Sequence, residues 1–370
     1  MQKIKSMKYV VAIDSFKECL TSSEANEAVR NGIVKTDPCA EVDTVMVSDG
    51  GEGFLDAMCP DSRVRCYAHD AMMRPVEVEY GLSGTGSCQT AVIEVARVVG
   101  LEMIEPELRN PLRATSYGLG EVVADAWRRG CRQLIVGLGG SAVSDCGIGM
   151  LQALKKAIFS ARRLPDFAAF DTTLLQQLQV TLATDVTAPL LGDRGAARVF
   201  APQKGATPEM VDLLERKAAT FAEAAARHQQ RDCRHQPGAG AAGGLGYAFM
   251  EFMNAKTEAG AGLVLRHNGF DERLKGCRCV FTGEGHADRQ TLMGKLPAEI
   301  LRHAQAAHIP VVLLAGRVDG ADVLLQQGFE QVMDINAGCP ADIDPLCPDV
   351  ARERLQSSVA RLLEADRRTK

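Results

Sequence analysis

Apolar and polar positions follow a strand-and-helix rhythm at both ends of this chain. Lys8 to Ile13 is a short, largely β-branched run that stops at Asp14. Thr21-x-x-Glu24 is a capping box that opens a helix to about Val34. Val42 to Val47 reads as the next strand and ends at the turn Asp49–Gly53. Strand, helix and strand in that order predict parallel strands joined by a right-handed crossover. Near the other end the rhythm returns, with strands at Cys279–Phe281, Pro310–Ala315 and Gln331–Ile335. Helices fall at about Pro297–Ala307, Ala321–Gln327 and Val350–Ala365. The two ends are expected to share one parallel sheet.

The middle reads differently. Pro75–Leu82 and Thr90–Val95 resemble strands of a hairpin or meander. A helix is expected at about Thr115–Arg129 and a strand at Gln133–Val136. Thr207-Pro208-Glu209 is a strong helix start, with an N-cap, a proline at the first position and an acid in the first turn. That helix runs to about His228 with Met210, Leu214, Ala218 and Phe221 on one face. The expectation is a discontinuous outer domain, 1–66 and 277–370, with a second α/β domain inserted at 67–276.

At 370 residues the chain exceeds one typical domain, and 46% hydrophobic content supplies a sizeable core. Net charge is −5 and no long Lys/Arg block occurs, which argues against nucleic acid or an anionic membrane as partner. No uninterrupted apolar run approaches the length of a membrane span. The apolar stretch after Lys8 is too short for a signal sequence and reads as the first strand of a cytoplasmic protein. The cysteines are scattered. Cys277-x-Cys279 and Cys233-x-His235 lack a second pair at zinc-site spacing, so reduced, mostly buried thiols are expected.

Four turns concentrate the chemistry. They are Ser48-Asp-Gly-Gly-Glu-Gly53, Gly137–Gly147, Pro237–Gly246 and the segment after Phe281, which holds Gly283, Glu284, Asp288 and Lys295. Strands that deliver acids and backbone N–H groups to their ends build sites for phosphates and metal ions. Gly137-x-Gly139-x-x-Ala142 also satisfies a dinucleotide-binding pattern, but the stretch Ser160–Asp166, where the supporting acid should end a strand, is no strand end. Gly238-x-Gly240-x-x-Gly243 follows polar residues and reads equally as a phosphate cradle or as close packing. No P-loop motif is present. Lys17, Lys204 and Lys295 sit in turns and are phosphate candidates beside the ordinary reading of solvated charges. Asp185, Asp145 and Asp49 read either as turn caps or as a base or Mg²⁺ ligand. His286 has no histidine neighbours that would complete a metal site.

Assembled, these residues resemble the bacterial glycerate kinase family nearly end to end. The matching segments include Asp14-Ser-Phe-Lys17, Ser48–Gly53, Glu107-x-Arg-Asn-Pro-Leu112, Tyr117-Gly-x-Gly-Glu121, Gly139–Ala142 with Asp145, and Gly147-x-Gly-Met150. Thr184-Asp-Val186, Phe200-x-Pro-Gln-Lys-Gly-Ala206, the 237–246 glycine run and Thr282–Gly285 with Asp288, Gln290, Lys295 and Pro297 complete them. The resemblance implies a flavodoxin-like domain with an inserted α/β domain. It also implies transfer of the ATP γ-phosphoryl group to D-glycerate, usually giving 2-phosphoglycerate, with Mg²⁺ as cofactor. Substrate or nucleotide contacts are expected at Asp14, Ser15, Asp49, Gly50, Gly51, Gly139, Gly140, Ser141, Lys204, Gly240, Gly243, Gly283 and Lys295.

Phosphoryl transfer needs positioned phosphates, a divalent cation and a base at the acceptor hydroxyl. Lys17 and Lys295 can neutralise phosphate oxygens or hold the glycerate carboxylate. Asp185 or Asp145 can take the proton, and Glu284 or Asp288 can hold Mg²⁺. Departures from the family pattern fall at Val143, Ser144 and Cys146, at Glu18, at His286-Ala287, and after Lys156, where the segment is shorter. These motivate a rival reading, a non-catalytic relative that senses glycerate or nucleotide. A nicotinamide-dependent dehydrogenase, resting on 137–142, is a third.

Overall fold

The computed structural model of the protein describes residues 6–17, 19–84, 89–158, 175–292, 294–340 and 342–368. Glu18 and residues 160–166 lie outside them. Among the described residues eleven strands follow in order: β1 Lys8–Ile13, β2 Glu41–Thr44, β3 Arg63–His69, β4 Pro75–Ser83, β5 Thr90–Glu94, β6 Gln133–Gly137, β7 Gln179–Ala183, β8 Lys256–Glu258, β9 Cys277–Ala287, β10 Val311–Val318 and β11 Gln331–Asp334. They form two sheets in two compact units, Met1–Asp49 with Ala261–Lys370, and Gly50–Gly260.

These junctions lie earlier in the chain than 66/67 and 276/277. The helix Phe54–Met58 and β3 belong with the second sheet, because β3 pairs antiparallel with β4 along its whole length. Ala261, Leu265, Phe270 and Leu274 are buried in the core of the first unit.

The first unit is a fully parallel sheet in the order β11-β10-β9-β1-β2. Counted within the unit this is 2-1-3-4-5, the flavodoxin order. Alternation along β1 decides the two faces. Val10 and Ala12 join Val280, Leu313 and Ala315 beneath the helix Leu296–Ala306. Tyr9, Val11 and Ile13 join Phe281 and Leu314 beneath the helices Ser22–Thr36 and Pro348–Arg368. Those two helices approach closely at Gly32, where a Cβ would lie 2.6 Å from the Gln356 carbonyl oxygen. Thr21 caps the first of them through the reciprocal Thr21–Glu24 bonds expected from the capping box.

The second unit is a mixed sheet, β3-β4-β5-β6-β7-β8, antiparallel through β3, β4 and β5 and parallel from β5 to β8. Tyr80, Ile93, Leu119, Val136, Leu182, Tyr247 and Phe249 are buried in its core. The helix Pro208–Gln229 buries Leu214, Ala218 and Phe221 as the pattern predicts, with Val211 rather than Met210 completing the stripe.

Two elements differ from the expectation in ways that matter for the site. β9 does not stop at Phe281 but continues to Ala287, because Gly283, Glu284 and His286 pair with Leu314, Ala315 and Arg317 of β10. Glu284 is therefore a strand residue, not a loop residue. β2 ends at Thr44, although Val45 still donates its amide to the Val11 carbonyl at 2.8 Å.

Candidate active site

The chain leaves β1 toward one face of the first-unit sheet, where Ala25, Val29 and Ile33 pack, and leaves β9 toward the other, where Leu296 and Ile300 pack. Neighbouring strands whose connections diverge leave a crevice beyond their carboxyl ends, the usual ligand position in open α/β sheets. A cavity of about 460 Å³ lies there, lined by Asp14, Ser15 and Lys17 after β1, by Glu284 and His286 of β9, by Asp49 and by Lys295. Six of the residues singled out from sequence, Asp14, Ser15, Lys17, Asp49, Glu284 and Lys295, are thus brought together.

Asp14 is fixed at both ends of its residue. Its amide donates to the Gly283 carbonyl at 3.0 Å, and its Oδ1 accepts from the Ser15 amide at 2.8 Å. Burial, and then the neighbouring Asp49 carboxylate, push its carboxyl up to about 8, against the opposing pull of the Ser15 amide and Lys17. Glu284, only 8% exposed, accepts from Thr291 Oγ1 at 2.6 Å and from Lys295 Nζ at 3.1 Å. Lys295 sits at the N-cap of the helix Leu296–Ala306, so the cavity gains a cation beside a helix N-terminus. Asp288 is not part of this lining. Its Oδ1 accepts from the Gln290 amide at 2.7 Å and its amide donates to Thr291 Oγ1, so it caps the turn after β9. Gly283 serves packing, since a Cβ there would lie 2.3 Å from the Leu314 carbonyl oxygen.

The glycines of the second unit mostly permit backbone to meet backbone. Gly50 has φ +99° and its carbonyl accepts from the Gly139 amide at 3.0 Å, while a Cβ on Gly139 would lie 2.4 Å from Gly51 Cα. Gly140 also has positive φ. A Cβ on Gly240 would meet the Pro189 carbonyl oxygen at 2.3 Å, and one on Gly243 the Val143 carbonyl oxygen at 2.0 Å. The glycine run 237–246 is therefore a close-packed helix entry, with Ala242, Gly243 and Gly244 in left-handed conformation.

Asp145 caps the helix Ile148–Ile158. Its carboxylate accepts from Thr115 Oγ1, the Ser116 amide and hydroxyl, and the Gly147 and Gly149 amides, at 2.9–3.3 Å. Lys204 is buried, and its Nζ donates to the Val143 carbonyl at 2.6 Å and to Ser141 Oγ at 3.2 Å. Desolvation brings that ammonium down to about 7. Asp185 is exposed, two residues beyond β7, and its Oδ1 accepts from the Gly260 amide at 3.1 Å.

Residues 9–364 match the family model described as the glycerate kinase family. The chain belongs to the glycerate kinase family. The glycerate kinase of Haemophilus influenzae is 38% identical over 346 residues, covering 89% of this chain and 91% of that protein. The glycerate 2-kinase of Escherichia coli is 36% identical over 347 residues, covering 89% and 90%. The crystal structure of a Salmonella typhimurium LT2 protein assigned as glycerate kinase 2 superposes with a TM-score of 0.76 at 32% identity, covering 98% of this chain and all of that one.

Kinship of this kind favours the glycerate kinase reading over a sensing relative or a dehydrogenase, and a kinase family implies ATP as phosphoryl donor. The described residues include no helix long and apolar enough to cross a membrane. Several cavity residues went unnoticed in the sequence, Arg317 and Asn336 among them. Arg317 follows the apolar run of β10, and Asn336 follows β11 with its Nδ2 donating to the Gly316 carbonyl at 2.8 Å. Both stand at strand ends on the carboxyl edge, the one signal that could have found them.

Proposed function

We propose that this chain is a glycerate kinase that transfers the γ-phosphoryl group of ATP to D-glycerate, giving 2-phosphoglycerate. The observation that carries the reading is the cavity at the β1/β9 divide, where Lys17 and Lys295 face Asp14, Asp49 and Glu284. Lys17 and Lys295 neutralise phosphate oxygens. Asp185, exposed just beyond the end of β7, is the candidate to accept the proton of the attacking hydroxyl. Asp145, whose oxygens accept five donors, is better suited to hold its loop in place.

The donor set fits Mg²⁺. Among the described residues no group of three or more His, Cys, Asp or Glu side chains is arranged to hold a metal by itself. Mg²⁺ needs no such cage, because it is commonly bound by one or two carboxylates together with water and substrate phosphates. Asp14 and Asp49 supply such a pair; burial, and then the neighbouring Asp49 carboxylate, make the ionised Asp14 costly, a cost that a cation would relieve. Glu284 is already committed to Thr291 and Lys295. Mg²⁺ held there would supply charge neutralisation for the transferring phosphoryl group.

A coupled assay with ATP and D-glycerate, with and without Mg²⁺, tests the reading, and phosphorus NMR of the product reports the hydroxyl modified. Phosphoryl transfer dependent on both ATP and Mg²⁺ is expected. Glycerate binding without turnover would instead identify a sensing relative.

A further inference from the structure

The second unit holds another cavity, of about 240 Å³, that the proposed function leaves unused. It lies between the turn around Arg113, the bend Ser144–Cys146, Gln152 of the helix Ile148–Ile158, and Lys217 of the helix Pro208–Gln229. Ser144 is 8% exposed, and its Oγ has no hydrogen-bond partner. A buried hydroxyl left in that state asks for an explanation, and a ligand is one. Arg113, Lys217 and Gln152 are exposed, and among the described residues their side chains make no hydrogen bond or ion pair. Four unengaged polar groups thus line one small cavity, and two of them are cations.

The one carboxylate in the lining is Asp145, whose oxygens are already satisfied by five donors. The buried Lys204 amine, bonded to the carbonyl of Val143, stands beside Ser144 and carries part of a positive charge near neutral pH. The local balance therefore favours an anion. At about 30 Å³ per water, the cavity has room for roughly eight waters. It falls below the range of roughly 300–1,000 Å³ typical of larger ligands, which excludes a nucleotide and suits a three-carbon acid.

We propose that this cavity binds a small hydroxycarboxylate, with Arg113 and Lys217 taking the carboxylate and Ser144 and Gln152 taking hydroxyls. The choice of ligand rests on the glycerate kinase reading. The same chemistry can come from two sources, the acceptor acid itself or the phosphorylated product acting as an effector.

Calorimetric titration of the full-length protein with D-glycerate, without nucleotide, is the direct test, run beside steady-state kinetics. Arg113→Ala should weaken D-glycerate binding or product inhibition about 10-fold or more, the scale of one lost charge-assisted hydrogen bond. Ser144→Ala, a smaller change at a buried position, should act in the same direction. A raised KM for D-glycerate with an unchanged KM for ATP identifies the acceptor. An unchanged KM with weakened inhibition by the phosphorylated product identifies an effector. Equal affinity, equal KM and equal inhibition in wild type, Arg113→Ala, Lys217→Ala and Ser144→Ala would overturn the proposal. If wild type transfers no phosphoryl group yet binds D-glycerate in an Arg113-dependent manner, the cavity assignment stands and the kinase reading falls.

Discussion

Replacing Asp14 by Asn should stabilise the protein near neutral pH while removing activity. In the folded state burial and Asp49 hold the Asp14 carboxyl at about 8, against an ordinary value of 3.8. A carboxyl raised in this way favours the folded state fully below about pH 4, and that contribution is lost as pH rises toward 8. Each pH unit inside the window is worth about 1.4 kcal/mol per proton, so the cost between pH 5 and pH 7 is on the order of 2 kcal/mol. A difference of about 2 kcal/mol between wild type and variant is therefore expected. Asn carries no charge to bury and escapes this penalty.

Urea denaturation of wild type and Asp14→Asn, followed by circular dichroism at pH 5, 6 and 7, measures it. The variant should gain on wild type steadily across the series. Added Mg²⁺ should shrink the gap at pH 7, since wild type alone gains a bound folded state. Activity should fall by about 10²-fold or more, the scale expected for a group acting on the reacting phosphates. A stability difference that stays flat from pH 5 to pH 7 would refute the reasoning, because Asp14 would then carry an ordinary carboxylate.

The two remaining aspartates should separate by readout. Asp185→Asn should keep its melting temperature and lose about 10²-fold in kcat, whereas Asp145→Asn should lose about 2 kcal/mol or more of stability, because an amide cannot accept all five of the present donors. A stable Asp145→Asn with abolished turnover would reverse the assignment. Gly243→Ala should lower the melting temperature by about 10 °C, since its φ is +66° and its Cβ would lie 2.0 Å from the Val143 carbonyl oxygen; a scanning calorimetry trace unchanged from wild type would contradict the close-packing account.

What the sequence revealed depended on how local the cause was. β1 and the Thr21 capping box are set by neighbours within a few residues, and both stand where the pattern placed them. The end of β9 was not legible, because Gly283-Glu284-Gly285 reads as a turn until β10 lies alongside and supplies its ladder. β3 was missed for a related reason. Arg63, Arg65 and His69 dilute its apolar signal, and only pairing with β4 makes it a strand. At the site, the aspartates and lysines were visible as residue types at strand ends, yet their states were not. The five donors on Asp145 include Thr115 and Ser116, about thirty residues away. The partners that distinguish Glu284 from Asp288 likewise depend on the turn around Thr291.

The central strands of the first unit come from opposite ends of the chain, with Lys8 registered against Cys277 and Ile13 against Gly283. During synthesis the ribosome delivers β1 and β2 long before β9, β10 and β11 exist. The second unit, Gly50–Gly260, is contiguous and can close its own contacts as it emerges. The early βαβ segment must meanwhile wait with one edge of β1 unpaired, which is the kind of edge that recruits unwanted strands. Bringing its ends together afterwards costs only slowly more for a long intervening loop, and less once that loop is already compact. The insertion thus sets an order of assembly in which the cavity bearing Asp14 and Glu284 is among the last features to form.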